Sequence, residues 1–400
     1  MKSITARSLM MLMALAGSSY CHAQQATIVV SNPTSTPRTE LISLSMSEVK
    51  AKLGNANPKK GEAYIVKNKR GQQIGSQITH DGLLLIDASV RPHGSATYYV
   101  SIGKPYQQKV YATGALYKIR KDDIAWENDR CAYRVYGPAL QKTGERSFGT
   151  DIWVKNTPDT VVYERYIKDM IGNRKNDGET EILTSFHLDH GNGLDPYRVG
   201  ATLGLGAPSL MVGKNQVLPY CYKDYRILDN GPLRFTVELT YNPSTVGDMK
   251  NVVEHRIISL DKGSNFNKMT VWYDGLTTPT DFATGFPIHE EDTETKTFAK
   301  DYVSYADPTD NVEVNNSQVF VGVLFPEGID HTYYQLFDKK HDGATGHALG
   351  LKRGLKNQEK YSYYFGAAWS KYDVRSYAEW QIRIKDYLDA LKNPLQVEIK

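Results

Sequence analysis

The sequence predicts a mainly β protein: a small N-terminal β-sandwich over residues 26–107, then a large antiparallel β domain over residues 108–400. Two observations carry this expectation. Short runs rich in β-branched and aromatic residues recur along the chain between Gly, Pro and Asn, which is the pattern of antiparallel strands and turns. The aromatic complement is dominated by tyrosine, 27 residues against 11 phenylalanines and 5 tryptophans. Tyrosine joins a flat apolar face to a polar tip, which suits strand packing and also suits stacking on sugar rings.

Along the chain, residues 1–23 come first. Lys2 and Arg7 precede a short apolar run, Leu9 to Ala16, too short to span a bilayer. Small residues lead to a cut after Ala23, so the segment reads as a secretory signal peptide and the protein as exported, to the periplasm or the medium. Cys21 raises a lipid anchor, but Tyr20 stands where such signals carry a small residue. No later stretch has the apolar length of a membrane span. Removing Lys2 and Arg7 from 48 basic residues leaves 46 against 45 acidic, a net of +1. So balanced a chain has no general electrostatic attraction to nucleic acid or to membranes, and neither is expected as a partner. Cys131 and Cys221 remain; an oxidising compartment permits their pairing, while two buried thiols fit equally. Their number excludes a four-cysteine zinc site.

In the small domain ATIVVSN (26–32) alternates, EAYIVKNKRGQQIGSQIT (62–79) reads as two strands around an Arg-Gly turn, and GLLLIDASV with SATYYVSIG (82–103) repeats the pattern across residues 91–94. In the large domain LYKIR, CAYRVYG, DIWVKN, LRFTVELTYNP, NVVEHRIISLDKG, NKMTVWYDG and VFVGVLFP have strand period or composition. Helical spacing is confined to residues 160–171 and 375–391, the second closed by Pro394.

Four clusters carry ionisable groups. In WENDR (126–130) an extended chain would turn Glu127 and Asp129 to one side, where with Arg130 they could hold a sugar hydroxyl or a carboxylate; a salt-bridged strand end is the structural alternative. FHLDHGNGLDPY (186–197) places His187, Asp189, His190, Asp195 and Tyr197 in a stretch that Gly191, Gly193 and Pro196 force into a loop. Histidine moves protons near neutral pH, and loops on a rigid scaffold are where sites concentrate. Asp189, Asn192 and Asp195 are oxygen ligands at spacing three, a possible calcium turn without the bidentate glutamate of an EF-hand. Apart from that turn no cofactor is expected. The third cluster, GFPIHEEDTET (285–295), holds His289 beside Glu290 and Glu291 but lacks the second histidine of a zinc helix. In HDGATGHALGLKR (341–353), His347, Lys352 and Arg353 are candidates to bind an anion. The following YSYYFGAAWSKYDV offers Tyr363, Tyr364, Trp369 and Tyr372 as a sugar-stacking platform or as buried strand aromatics. No dinucleotide fingerprint, P-loop or serine-hydrolase elbow is present.

The order WENDR, GPAL, DIWVK, DHGNGLDPYRVG, DNGPLRFTVELTY resembles a family of secreted bacterial proteins, the domain of unknown function "forty-eight sixty-one", over nearly the whole mature chain. The resemblance implies an association with enzymes that degrade acidic plant and algal polysaccharides. It also implies a large domain similar to the galactose-mutarotase-like β-supersandwich. On that reading the protein cleaves glycosidic bonds in uronate-containing oligosaccharides. Elimination would use His187 or His190 as base, Tyr197 as acid and Arg130 or Arg198 to neutralise the uronate carboxylate. Hydrolysis would instead use Glu127 with Asp189 or Asp195. A mutarotase or epimerase, and a non-catalytic glycan-binding protein, are the alternatives. Asp129, Arg130, Asp189, Asp195, Arg198, His289, His347 and Trp369 are the residues expected to hold substrate.

Overall fold

The computed structural model describes residues 25–175, 177–218, 220–290, 295–309 and 316–400. The expected signal segment 1–23 and Glu291 of the HEE run lie outside the described residues.

Strand Ala26–Ser31 buries every second residue, Ala26, Ile28 and Val30, as its alternating sequence requires. It lies between strands Ser95–Gly103 and Gln396–Ile399, with Ala63–Asn68 beyond Ser95–Gly103. This sheet packs on a second one of Arg38–Ser45, Leu83–Val90 and Ser76–Ile78, around a core that includes Ile28, Leu44, Leu84, Ile86 and Val100. These two sheets share one core, and their pairing departs from the strand order read in the sequence in two ways. Leu83–Val90 and Ser95–Gly103 do not pair; the turn between them carries the chain from one sheet to the other. And the far end of the chain completes the domain. Gln396–Ile399 runs antiparallel to Ala26–Ser31, and Thr27 and Lys400 exchange backbone hydrogen bonds at 3.2 and 2.8 Å. The boundary at residue 107 leaves that last strand out.

The large domain opposes a nine-stranded antiparallel sheet to two smaller sheets of five and four strands. Strands Met249–Asp261, Phe266–Asp274 and Tyr361–Trp369 run through the centre of the large sheet. Strands Thr280–Ile288 and Ala344–Leu355 are central to the five-stranded sheet. The four-stranded sheet is Thr150–Val154, Cys131–Val135, Asp123–Glu127 and Thr113–Tyr117. One apolar core takes residues from all three, among them Trp126, Tyr133, Phe235, Phe286, Val321 and Tyr363. Trp369 belongs to it, 2 % exposed, with its indole N–H donated to the Asn316 carbonyl at 2.6 Å. Tyr363 is wholly buried as well. The aromatic run at 361–374 thus packs a strand, and Trp369 and Tyr363 are no open sugar platform.

Among the described residues five α-helices decorate the sheets: α1 (Met46–Lys52), α2 (Pro138–Gln141), α3 (Val162–Lys175), α4 (Gly178–Thr184) and α5 (Tyr377–Lys392). In α5 Trp380, Ile384 and Leu388 recur at helical spacing and bury against Phe266, Phe320, Leu324 and Ala368 on the outer face of the large sheet. Ser376 caps its first turn, accepting from the Glu379 N–H. Helix α3 sets Val162 and Tyr166 against Trp153 on the outer face of the four-stranded sheet. Cys131 and Cys221 are separate buried thiols. Among the described residues no helix is long and apolar enough to cross a membrane.

Candidate active site

The stretch 186–197 forms a loop pinned at both ends. Phe186 stacks on Trp153 with centroids 4.8 Å apart, while Leu194 and Tyr197 enter the main core. Val154 and Leu194 exchange backbone hydrogen bonds at 2.9 and 3.2 Å. Asp189 folds back on its own loop and accepts the N–H groups of Gly191 and Gly193 at 2.9 and 3.0 Å, an Asx turn. Gly193 sits at φ +98°, and a Cβ there would lie 2.1 Å from the Val154 carbonyl oxygen, so only glycine closes the loop. His190 braces the same turn, its Nε2–H donated to the Ser185 carbonyl at 2.9 Å, and it is not among the residues lining the cleft described below. The three proposed calcium ligands face separate partners. Asp189 holds the turn, the Asn192 carbonyl accepts from Arg165 at 2.6 Å, and Asp195 pairs with Arg134 at 2.9 Å. No cluster of three or more His, Cys, Asp or Glu side chains suited to a metal occurs among the described residues.

The loop forms one wall of a cleft of about 500 Å³. His187, Asp195 and Tyr197 line it together with Arg120, Arg134, Tyr136, Arg146 and Asp342. Arg134 is its fixed point, 4 % exposed and next to last in strand Cys131–Val135. It donates to Asp151 at 2.8 Å and to Asp195 at 2.9 Å, with Asp123 at 3.4 Å. Three carboxylates share one guanidinium, and Asp123 is raised to about 6; burial is the main cause, partly offset by Arg134 and Arg120.

Asp195 in turn orients His187. The imidazole Nδ1 lies 3.2 Å from the Asp195 carbonyl and 3.7 Å from its carboxylate. A carbonyl only accepts, so Nδ1 carries the proton and Nε2 presents a lone pair. The ring is exposed, and Phe186 packs against it at 4.5 Å. Tyr197 contrasts with it: 4 % exposed, its hydroxyl has no hydrogen-bond partner among the described residues. Burial holds its pKa far above the ordinary phenol value, with Asp307, Tyr305 and Asp151 adding, so it keeps its proton at neutral pH. Arg120 lies over the Phe186 ring and Arg146 over Phe148, and neither forms a salt bridge among the described residues.

The other expected residues fall into two groups. Near the cleft, exposed Arg198 lies against Gly343 beside Asp342, which accepts the Ala201 N–H at 3.0 Å. His289 is buried behind Tyr197. His347 is also buried; it accepts the Leu203 N–H at 3.3 Å, and burial lowers its pKa to about 3. A neutral, enclosed imidazole cannot grip an anion. The WENDR residues lie elsewhere. Glu127, 2 % exposed, pairs with Lys155 at 2.7 Å and accepts the N–H groups of Val161 and Val162 at about 3.0 Å, capping α3. Both of its oxygens are occupied by these donors. The strand ends there because Asn128 turns the chain by accepting from Arg130 and Cys131. Asp129 therefore does not share a face with Glu127; it accepts the Gly263 N–H at 2.6 Å, and Arg130 pairs with Asp373.

Arg134, Asp123, Asp151, Arg120, Arg146 and Asp342 were not anticipated. The available signal was Arg134 itself, since an arginine inside an otherwise apolar strand needs buried carboxylates to stand there.

Comparison with known proteins places the chain. It belongs to the family described as Domain of unknown function (DUF4861), whose model matches residues 30–397. It is similar to "Uncharacterized protein P7" of Formosa agariphila, 26% identical over 395 residues that cover 93% of each chain. Its fold is similar to two structures from Enterococcus faecalis, a protein in the glycosyl hydrolase family 38 and an alpha-mannosidase, with TM-scores of 0.51 and 0.50 at 9% identity. The likeness covers 94% of this chain but only 47% and 46% of those chains, so this chain spans about half their length.

Proposed function

We propose that this protein is a carbohydrate-active enzyme that cleaves uronate-containing oligosaccharides by β-elimination in the His187–Tyr197 cleft. One observation carries the reading: a buried, protonated Tyr197 hydroxyl with no hydrogen-bond partner among the described residues lines the same cleft as a histidine whose tautomer Asp195 sets. Elimination needs a base, an acid and a countercharge for the uronate. His187 Nε2 takes the C5 proton. Tyr197 gives its proton to the leaving glycosidic oxygen as the C4–O bond breaks and the C4=C5 bond forms. Arg120 and Arg146 neutralise the carboxylate. The hydrolytic pairs read from the sequence find no such support, because Glu127 caps a helix, Asp189 holds its own turn and Asp195 pairs with Arg134. The fold likeness to glycosyl hydrolase family 38 proteins supports sugar chemistry in general. The signal-like segment 1–23 supports export to the periplasm or the medium.

The test is incubation with a panel of uronate oligosaccharides, followed by the ultraviolet absorbance of the unsaturated product and by mass spectrometry. Wild-type protein is expected to generate absorbance without adding water. His187→Ala and Tyr197→Phe are each expected to lose about 10²–10⁴-fold in rate, the usual weight of a general acid or base. Cleavage that adds water without absorbance would refute elimination, and unchanged masses with every substrate would favour an epimerase or a binding protein.

A further inference from the structure

Alternation along strand Tyr361–Trp369 turns Tyr363 into the core and leaves Tyr364 half-buried on the outer face of the large sheet. There Tyr364 lines a groove of about 640 Å³ between that face, α5 and the small domain. The groove shares no lining residue with the His187–Tyr197 cleft.

The strand register lays out its floor. Asp229 opposes Thr236, Thr236 opposes Ser259, Ser259 opposes Lys268, and Lys268 opposes Tyr364. Residues directly opposite share a face, so five neighbouring strands supply one row: a carboxylate, two hydroxyls, an ammonium and a phenol. At ordinary strand spacing the row is about 19 Å long. The Thr236 and Ser259 hydroxyls lie 3.2 Å apart. The small domain fixes one end, where Asp229 accepts the His80 backbone N–H at 2.7 Å and the ring Nδ1–H at 2.8 Å. Helix α5 closes the other end, setting Tyr387 edge-on to Tyr364 with centroids 5.5 Å apart.

The charges lining the groove are mostly paired within the protein. Arg234 pairs with Asp261, Lys262 with Asp87, Arg383 with Asp373 and Glu40 with Arg38. Asp81, at the His80 end, accepts the Thr79 hydroxyl at 2.5 Å. Lys268 is exposed, and its ammonium has no salt bridge among the described residues. The row therefore offers hydroxyl partners and an aromatic ring beside an uncompensated cation, which suits a hydroxyl-rich chain bearing a carboxylate. It suits a peptide poorly. The strands beneath are hydrogen-bonded to one another, so an extended peptide on this face finds no backbone edge to pair with.

We infer that this groove is a second carbohydrate-binding site, holding a uronate-containing chain with a sugar ring at Tyr364 and a carboxylate at Lys268. The inference rests on the elimination reading for its ligand class alone; the site stands on its own residues.

The test uses the full chain carrying Tyr197→Phe, so that the probe is not consumed, and tetragalacturonate as the probe. Galactotetraose is its neutral counterpart and tetraglutamate its peptide counterpart. Acetylation of Lys268, followed by mass spectrometry, is expected to slow when tetragalacturonate is present, while Lys385 on the exposed side of α5 reacts as before. Galactotetraose and tetraglutamate are expected to protect Lys268 less. In calorimetric titration Lys268→Glu is expected to weaken binding by about tenfold or more, the weight of a charge-assisted hydrogen bond. Tyr364→Ala is expected to weaken it as well, and Lys268→Glu, on an exposed side chain, gives the reading if Tyr364→Ala does not fold. Unprotected Lys268, equal slowing at Lys268 and Lys385, unchanged affinity in Lys268→Glu, or equal protection by tetraglutamate overturns the site. If the wild type cleaves no uronate while tetragalacturonate still protects Lys268, the elimination reading fails and the groove stands.

Discussion

Arg134 is a single guanidinium among Asp123, Asp151 and Asp195, all less than a tenth exposed. It converts an exposed loop into a fixed one, since Asp195 is held from below while its carbonyl holds His187. Replacing it by methionine leaves carboxylates buried without a countercharge, and a loss of about 3–5 kcal/mol in urea unfolding is expected. Asp123 shows how crowded the cluster is. Its carboxyl ionises near 6 in the fold against 3.8 ordinarily. Below about pH 4 it is protonated in both states. Between there and about pH 6 the folded chain still holds a proton that the unfolded chain has released, so stability falls as pH rises, by about 3 kcal/mol in all. Asp123→Asn removes that slope, and its stability relative to wild type is expected to rise by about that amount between about pH 4 and pH 7. Parallel curves would show that another group titrates. The sequence displayed these side chains but not their meeting, because Asp123, Arg134, Asp151 and Asp195 lie on three strands and a loop that only folding assembles.

Helix α3 shows the same division for an element. Its periodicity was legible, and so were the strands on which it packs. What the sequence did not show is that its N-terminus needs Glu127. The carboxylate receives two of the N–H groups that open a helix and balances the buried Lys155 ammonium. Glu127→Gln removes the charge and keeps the shape. The unfolding midpoint is expected to drop by the equivalent of about 3–5 kcal/mol, the cost of an unpaired buried lysine. Unchanged stability with abolished turnover would instead return Glu127 to the chemistry. The loop at 186–197 was legible in another way: its glycines and Pro196 required a turn, and the turn is there. Which of its two histidines faces the cleft depends on Ser185, whose carbonyl takes His190, and on Asp195, whose carbonyl takes His187.

At the scale of the molecule, the chain closes on itself. Strand Gln396–Ile399 follows α5 and Leu395, which joins the core of the small sandwich. Removing residues 396–400 leaves Ala26–Ser31 as an open edge. Amide hydrogen exchange is then expected to rise across residues 26–103 while the central strands of the large sheet keep their protection, because the two domains have separate cores. Equal loss of protection in both would show one cooperative unit. By itself the sequence determined the β class, the two longer helices and the loop that carries His187 and Tyr197, because these follow from alternation, helical spacing and turn residues within a few positions of each other. Only the tertiary structure decided that Glu127, Trp369 and His347 serve the interior, that Arg134 gathers the acids beneath the cleft, and that the last strand pairs with the first. Those outcomes depend on burial and on contacts between residues far apart in the chain, and local pattern does not encode which distant partner satisfies a buried charge.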